Sequence, residues 1–418
     1  MSNQPGPNQS PGATGSAATA LPDLNAETYP FSVVQHLIDQ AAYINAYAVC
    51  DANRTNAHIQ GASGTNIGFE LKGTLHRFDI NVEIPARRAG VRAANVVGRS
   101  IGEFTHRWLV IPDDFAAAPD RSPSPTVLDS ARSQRFVMED GVFKFNESGF
   151  RGFGTGVTYP VNSNSQQHLL TAAVGEVLDG YGRFEGLEGS YLLSGEITEQ
   201  GAFEGNLQVR VLDPRGQIRT DSDLGPAEGI IESSSNLSYL IFRGQKKNEN
   251  VKTTYVFGAG GMPAGFKLKQ ELRIVDLHSN LGRSRRLRSS VSLGQVIGWM
   301  SSEVFLNILN PGAPGTSLAP IPFNSYNVFT FTDNDGNTVG SFTAEGGEGR
   351  SFNVKLAGAP GQQALRFGAF QTLTKGTGCF EGVRGVFTDN SIVGVAPHVT
   401  STLYTACICD PEGKYRAR

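Results

Sequence analysis

Five side chains in this chain combine a proton-moving chemistry with a suggestive position: Tyr181, Glu185, Glu381, His398 and Tyr404. Glu185 and Glu381 lie in a glycine-punctuated decapeptide that occurs twice, GYGRFEGLEG at 180–189 and GTGCFEGVRG at 376–385. The others are specific to one copy. Tyr181 stands where the second decapeptide has Thr377, and His398, Asp389 and Tyr404 cluster around the following strand of the second copy. A tyrosine beside a buried acid can protonate a carbonyl or epoxide oxygen, because burial lifts the carboxyl pKa toward neutrality. Arg88, Arg210 and Arg285 are the candidates for holding a substrate. Arg285 belongs to the run Arg283, Arg285, Arg286, Arg288, answered earlier by Arg87, Arg88 and Arg92. Guanidinium forks at a rim would orient a carboxylate or phosphate; the plainer alternative is a solvated loop.

Other chemistries leave no signature. Nucleophile elbow, Walker loop, zinc and calcium motifs are missing from the sequence. GFGTG at 152–156 has neither the spacing nor the strand-to-helix setting of a phosphate loop. Seven scattered histidines form no ligand set, and Cys407 and Cys409, one residue apart, have no second pair to complete a site. The expectation is therefore a site without cofactor or metal. A net charge of −3 gives no reason to expect nucleic acid. No window approaches the roughly 18 apolar residues of a membrane helix. The first residues, MSNQPGPNQSPGATGSAATALP, read as a disordered lead rather than a signal peptide, making the cytoplasm the expected location. A homo-oligomer is compatible with all of this.

What must position these residues is a duplicated framework. GFELKGTLHRFDI from Gly68 returns as GFKLKQELRIVDL from Gly265, and Asp213-Pro214-Arg215-Gly216 returns as Asp410-Pro411-Glu412-Gly413. With the decapeptides, and with Asp140-Gly141 set against Asp335-Gly336 and Gly149 and Gly152 against Gly346 and Gly349, the offsets all fall between 195 and 197. Copies of this length are whole domains rather than solenoid units.

Each copy reads as strands. Phe78, Ile80, Val82 and Ile84 alternate with polar residues, and runs such as YNVFTFTDNDGNTVGSFTA join β-rich segments through Asn/Asp/Gly turns. Such spacing predicts an all-β fold in which each copy is an antiparallel barrel, of lipocalin-like form, or a sandwich. One helix is expected, over residues 31–49. The predicted organisation is a lead at 1–27, a first barrel domain with that helix at 28–222, a linker at 223–236 and a second barrel domain at 237–418. In the decapeptide the glycines permit sharp bends, the phenylalanine plugs a core, and the glutamate either braces the turn or lines a cavity.

GTGCFEGVRG, followed by the β-run HVTSTLYTACI, resembles the glycine-rich segment and next strand of plant allene oxide cyclases, whose eight-stranded barrel dirigent proteins share. The likeness covers about 30–40 residues of each copy, with Tyr181 in place of the usual Ser/Thr in the first. It implies the barrel. The acidic strand that carries the plant enzymes' catalytic glutamate has no counterpart here, so the resemblance assigns no catalytic residue. A barrel of that size encloses one small ligand, and strands rich in Phe, Leu, Val and Ile suit an apolar one. The leading expectation is a cofactor-independent cyclase or isomerase acting on a hydrophobic small molecule of oxylipin, terpenoid or polyketide type. A non-catalytic carrier of such a ligand is the alternative, and a purely structural protein the third.

Overall fold

The computed structural model describes residues 40–50, 57–64, 66–84, 90–111, 134–163, 166–197, 202–220, 224, 236–245, 254–257, 263–282, 284–306, 321–355, 363–394 and 400–416. Within them the protein is all-β. The first sheet comprises β1 (Ala41–Cys50), β2 (Ala57–Gln60), β3 (Asn66–Glu83), β4 (Arg92–Ile111), β5 (Gln134–Phe145), β6 (Ser148–Ser163), β7 (Gln166–Tyr181), β8 (Glu188–Ile197) and β9 (Phe203–Leu212). The second comprises β10 (Leu237–Gln245), β11 (Thr254–Phe257), β12 (Pro263–Leu281), β13 (Leu287–Leu306), β14 (Ile321–Thr332), β15 (Thr338–Lys355), β16 (Gln363–Gly378), β17 (Gly385–Gly394) and β18 (Thr400–Cys409).

In each sheet neighbouring strands are antiparallel, and the first strand pairs with both the last and the third. Eight strands thus close into a ring of hydrogen-bonded neighbours, with β2 or β11 attached outside it. The closing ladder is short, residues 46–49 against 74–77 in the first ring and 242–245 against 271–274 in the second. No helix among the described residues is long and apolar enough to cross a membrane.

The expected helix over 31–49 is corrected: residues 41–49 lie in β1, and 31–39 fall outside the described residues, as does the lead at 1–27. The reason is burial on both faces. Ala42, Ile44, Ala46 and Ala48 join the core of the first ring, while Ala41, Tyr43 and Tyr47 pack outward against the second. A strand covered on both sides loses the alternation that would identify it, and its apolar residues then match helical spacing equally well.

The repeat holds to the level of register. His76 pairs with Ser100 and Phe78 with Val97 across a bulge, and Arg273 pairs with Val296 and Val275 with Leu293 across the same bulge in the second copy. One part of the sequence alignment is corrected. Asp140-Gly141 lies at a bulge inside β5, with Asp140 at φ 50°, whereas Asp335-Gly336 forms the turn between β14 and β15. Gly152 pairs with Val177, the counterpart of Leu373, whose partner is Ala344 rather than Gly349. Unequal lengths before and between these strands shift the middle of each copy out of the common offset.

The decapeptide closes one end of each ring. Gly182 and Gly378 take φ +62° and +60°, a conformation that a side chain resists. Phe184 and Phe380 then turn inward: Phe184 packs on Phe145 and Phe150, and Phe380 on Phe331, Phe342 and Tyr415. The other repeated motif caps a loop. Asp213 accepts from the amides of Gln217, Ile218 and Arg219 at 2.7, 2.7 and 2.9 Å, and Asp410 accepts from those of Lys414 and Tyr415 at 2.7 and 2.9 Å.

Those loops carry each copy's tail onto the other ring. The amide of Ser289 donates to Ile218 O at 3.0 Å, and that of Ala93, its counterpart at offset 196, donates to Tyr415 O at 2.8 Å. Leu287 of the second copy enters the core of the first ring. The rings therefore meet through equivalent faces about a pseudo-twofold axis. Gln208 and Thr405, equivalent at offset 197, touch each other there through a 2.8 Å hydrogen bond.

Candidate functional site

Inside the second ring the residues divide into two layers. Toward the decapeptide end, Phe242, Phe329, Phe331, Phe342 and Phe387 pack ring against ring, with Phe329 and Phe387 centroids 4.6 Å apart. Toward the other end, where the chain leaves the ring after Gln245, Leu306, Lys355 and Gly394, the buried inward positions become polar.

Two of these carry the chemistry. Asp389 on β17 and Tyr404 on β18 are directly opposed across the ladder, and both are buried, at 8% and 5% exposure. The Tyr404 hydroxyl donates to Gln270 Oε1 at 2.8 Å. Gly244 makes this possible, since a Cβ there would stand 2.4 Å from Gln270 Oε1 and 2.5 Å from Tyr404 Cε2. Asp389 Oδ1 is buried and has no hydrogen-bond partner among the described residues. Burial pushes the Asp389 carboxyl well above the usual carboxylate range. Burial, and then the neighbouring Asp389, push the Tyr404 phenol well above its own range. An Asp in such a place holds its proton to higher pH than an exposed one.

A second polar set lines the same end. Ser302 bonds to Asn327 Oδ1, Asn327 Nδ2 donates to Gln371 Oε1 at 2.9 Å, and the Ser391 and Thr402 hydroxyls lie 2.8 Å apart. Each comes from a different strand, so the ring brings onto one inner surface residues that are distant in the chain.

The first ring lacks this arrangement. Leu193 and Leu207 hold the places of Asp389 and Tyr404, at offsets 196 and 197, and Gly73 and Gly175 those of Gln270 and Gln371. Its space is filled by rings instead. Trp108 stacks on Phe136 at 4.2 Å, and Tyr191 lies so close over β6 and β7 that a Cβ at Gly152 or Gly175 would meet it at 2.4 or 2.3 Å. His106 is fully buried among them. Burial lowers its pKa to about 3, and its Nδ1 accepts from Trp108 Nε1 at 3.3 Å, so it is a neutral core residue.

Of the catalytic and substrate-holding candidates that lie among the described residues, Tyr404 is on an inner face, opposite Asp389. Tyr181 is exposed at the end of β7, with burial of part of its ring raising its phenol, and Glu185 and Glu381 are exposed on the decapeptide turns. Arg285 is exposed in the β12–β13 hairpin, where its carbonyl accepts from Asn146 Nδ2 at 3.0 Å, at the decapeptide end of the first ring. Arg210 is buried on the outer face of β9, between the rings. His398 and Arg88 lie outside the described residues, as does 225–235 of the linker.

Gln270, Asn327, Gln371 and Ser302 escaped the sequence reading. A signal was present: Gln270 replaces Gly73 at an inward position inside the longest repeated segment. Among the described residues no group of His, Cys, Asp and Glu is arranged to hold a metal ion. No protein-family model, curated protein or solved structure matches the chain.

Proposed function

We propose that each ring is a β-barrel of the allene oxide cyclase type, and that the second works as a cofactor-independent cyclase or isomerase on a hydrophobic small molecule. One observation carries the reading: a buried carboxyl, its pKa raised by burial and one oxygen unpartnered among the described residues, faces inward beside a buried tyrosine in one copy, and leucines hold both places in the other. The aromatic layer below would bind the apolar body of the substrate, and the polar layer its oxygen.

The step balances without any other reagent. Asp389 gives its proton to an epoxide or carbonyl oxygen, ring closure or rearrangement follows, and the carboxylate recovers a proton from the product. Tyr404, committed as donor to Gln270, presents its oxygen lone pairs and fixes the edge of the site. A positioned acid contributes about 10²–10⁴-fold, and holding a flexible chain in its reactive fold contributes further.

A non-catalytic carrier is the second reading, favoured by the hydrogen bond that already engages the Tyr404 proton. The two separate cleanly. Purified protein is incubated with an organic extract of the cells that make it, and bound compounds are compared by exact mass and retention time before and after contact. An isomer of equal mass and new retention time supports the enzyme; a compound returned unchanged supports the carrier.

A further inference from the structure

The seam between the rings contains a charge arrangement that the proposed reaction does not use. Arg210, from β9 of the first ring, and Arg243, from β10 of the second, are both buried there. Arg210 Nη1 donates to the main-chain oxygens of Asn390 and Ser401 at 3.0 and 2.6 Å, and its Nη2 donates to Ser401 Oγ at 3.1 Å. Arg243 Nε donates to the same Ser401 Oγ at 3.0 Å. Tyr43, the cross-strand partner of Arg210, lies beneath it, with the guanidinium carbon 5.1 Å from the ring centroid.

Two cations thus share one hydroxyl, and among the described residues neither makes an ion pair with a carboxylate. Arg210 Nε is buried with no hydrogen-bond partner among the described residues, and the Tyr43 hydroxyl is buried beside Ser401 and Arg210. An unpaired buried cation is costly, and two side by side more so. Burial brings the Arg210 guanidinium down to about 10, with Tyr43 opposing that and Arg243 adding to it. Burial alone would raise the Tyr43 phenol, yet Arg210 and Arg243 hold it below its ordinary range. The Tyr43 shift, downward against its own burial, indicates a place that favours negative charge.

The fold itself does not demand the pair. At offsets 196 and 197 the duplication puts Cys407, Tyr47 and Glu204 where this end of the seam has Arg210, Arg243 and Ser401. There Tyr47 donates to Glu204 Oε2 at 2.7 Å. One end of a near-symmetric interface has gained two guanidiniums and the other a carboxylate.

We propose that the Arg210–Arg243 end of the seam is a binding site for a small oxyanion, either a ligand carboxylate or an inorganic tetrahedral anion. Arg210 Nε, the outer nitrogens of Arg243 and the Tyr43 hydroxyl donate to its oxygens. Arg243, the less buried of the two arginines at 7% exposure, marks the side of entry. Bidentate guanidinium geometry suits both anion classes.

The test uses the full chain. Its thermal midpoint is followed against sodium sulfate, sodium acetate and sodium chloride at matched ionic strength, with calorimetric titration of whichever anion acts. Saturable stabilisation by sulfate or acetate beyond chloride is expected; sulfate alone identifies the inorganic class and acetate alone the carboxylate. Arg243→Gln should weaken half-saturation tenfold or more, and Tyr43→Phe several-fold. A response equal to that of chloride overturns the proposal, as does an unchanged response in a folded Arg243→Gln protein. Should that variant fail to fold, the wild-type comparison of sulfate and acetate with chloride decides alone.

Discussion

Burial raises the Asp389 carboxyl well above the usual carboxylate range, and this has a measurable signature. Its folded pKa lies above the unfolded value of about 3.9. The extra stability of its protonated form is therefore whole below about pH 4 and is lost as pH rises through the folded value. Asp389→Asn removes that dependence. The urea midpoints of wild type and variant should lie close together at acid pH and separate above it, the variant gaining; parallel curves would refute the assignment. Tyr404→Phe removes the hydrogen bond to Gln270 Oε1, at a cost of about 0.5–1.5 kcal/mol, read as a fall in the same midpoint. At this scale the sequence was partly legible. Tyr404 and Asp389 stood out as residues peculiar to one copy, but their opposition across the ladder depends on a strand register that composition does not reveal.

The decapeptide illustrates what an element does with its residues. Phe184 and Phe380 are fully buried while the glutamates beside them face solvent, so the motif closes the ring rather than lining its interior. Phe380→Ala should cost about 3–5 kcal/mol of stability, whereas Glu381→Gln should stay within about 0.5 kcal/mol. Denaturant unfolding of the two variants checks this, and equal losses would contradict it. Glycine spacing and the single phenylalanine made that role readable in advance. The helix expected over 31–49 was misread because β1 is covered on both faces, and alternation is visible only where one face meets water.

At the scale of the whole molecule, the rings are not independent beads. The tail of each meets the other ring through an isolated β-bridge, and the faces that meet carry Tyr43, Tyr47, Tyr239 and Ile241, all buried. A chain comprising residues 237–418 alone would expose its half of this surface. It should self-associate through the same face or unfold at markedly lower denaturant than the full chain. Sedimentation and urea titration of the fragment distinguish these from a stable monomer, which would show that the seam contributes little. The duplication was legible from repeated segments. The seam was not, because its buried polar residues sit on outward strand positions that read as solvent-facing until the second ring is placed against them.

The proposed chemistry sits on one inner surface, so the most direct measurement compares product formation by wild type, Asp389→Asn and Glu381→Gln with a compound recovered from the protein. Loss of about 10²–10⁴-fold in turnover by Asp389→Asn with the compound still bound, beside unchanged turnover in Glu381→Gln, is the predicted result. Undiminished turnover in Asp389→Asn would contradict the placement of the chemistry in the second ring.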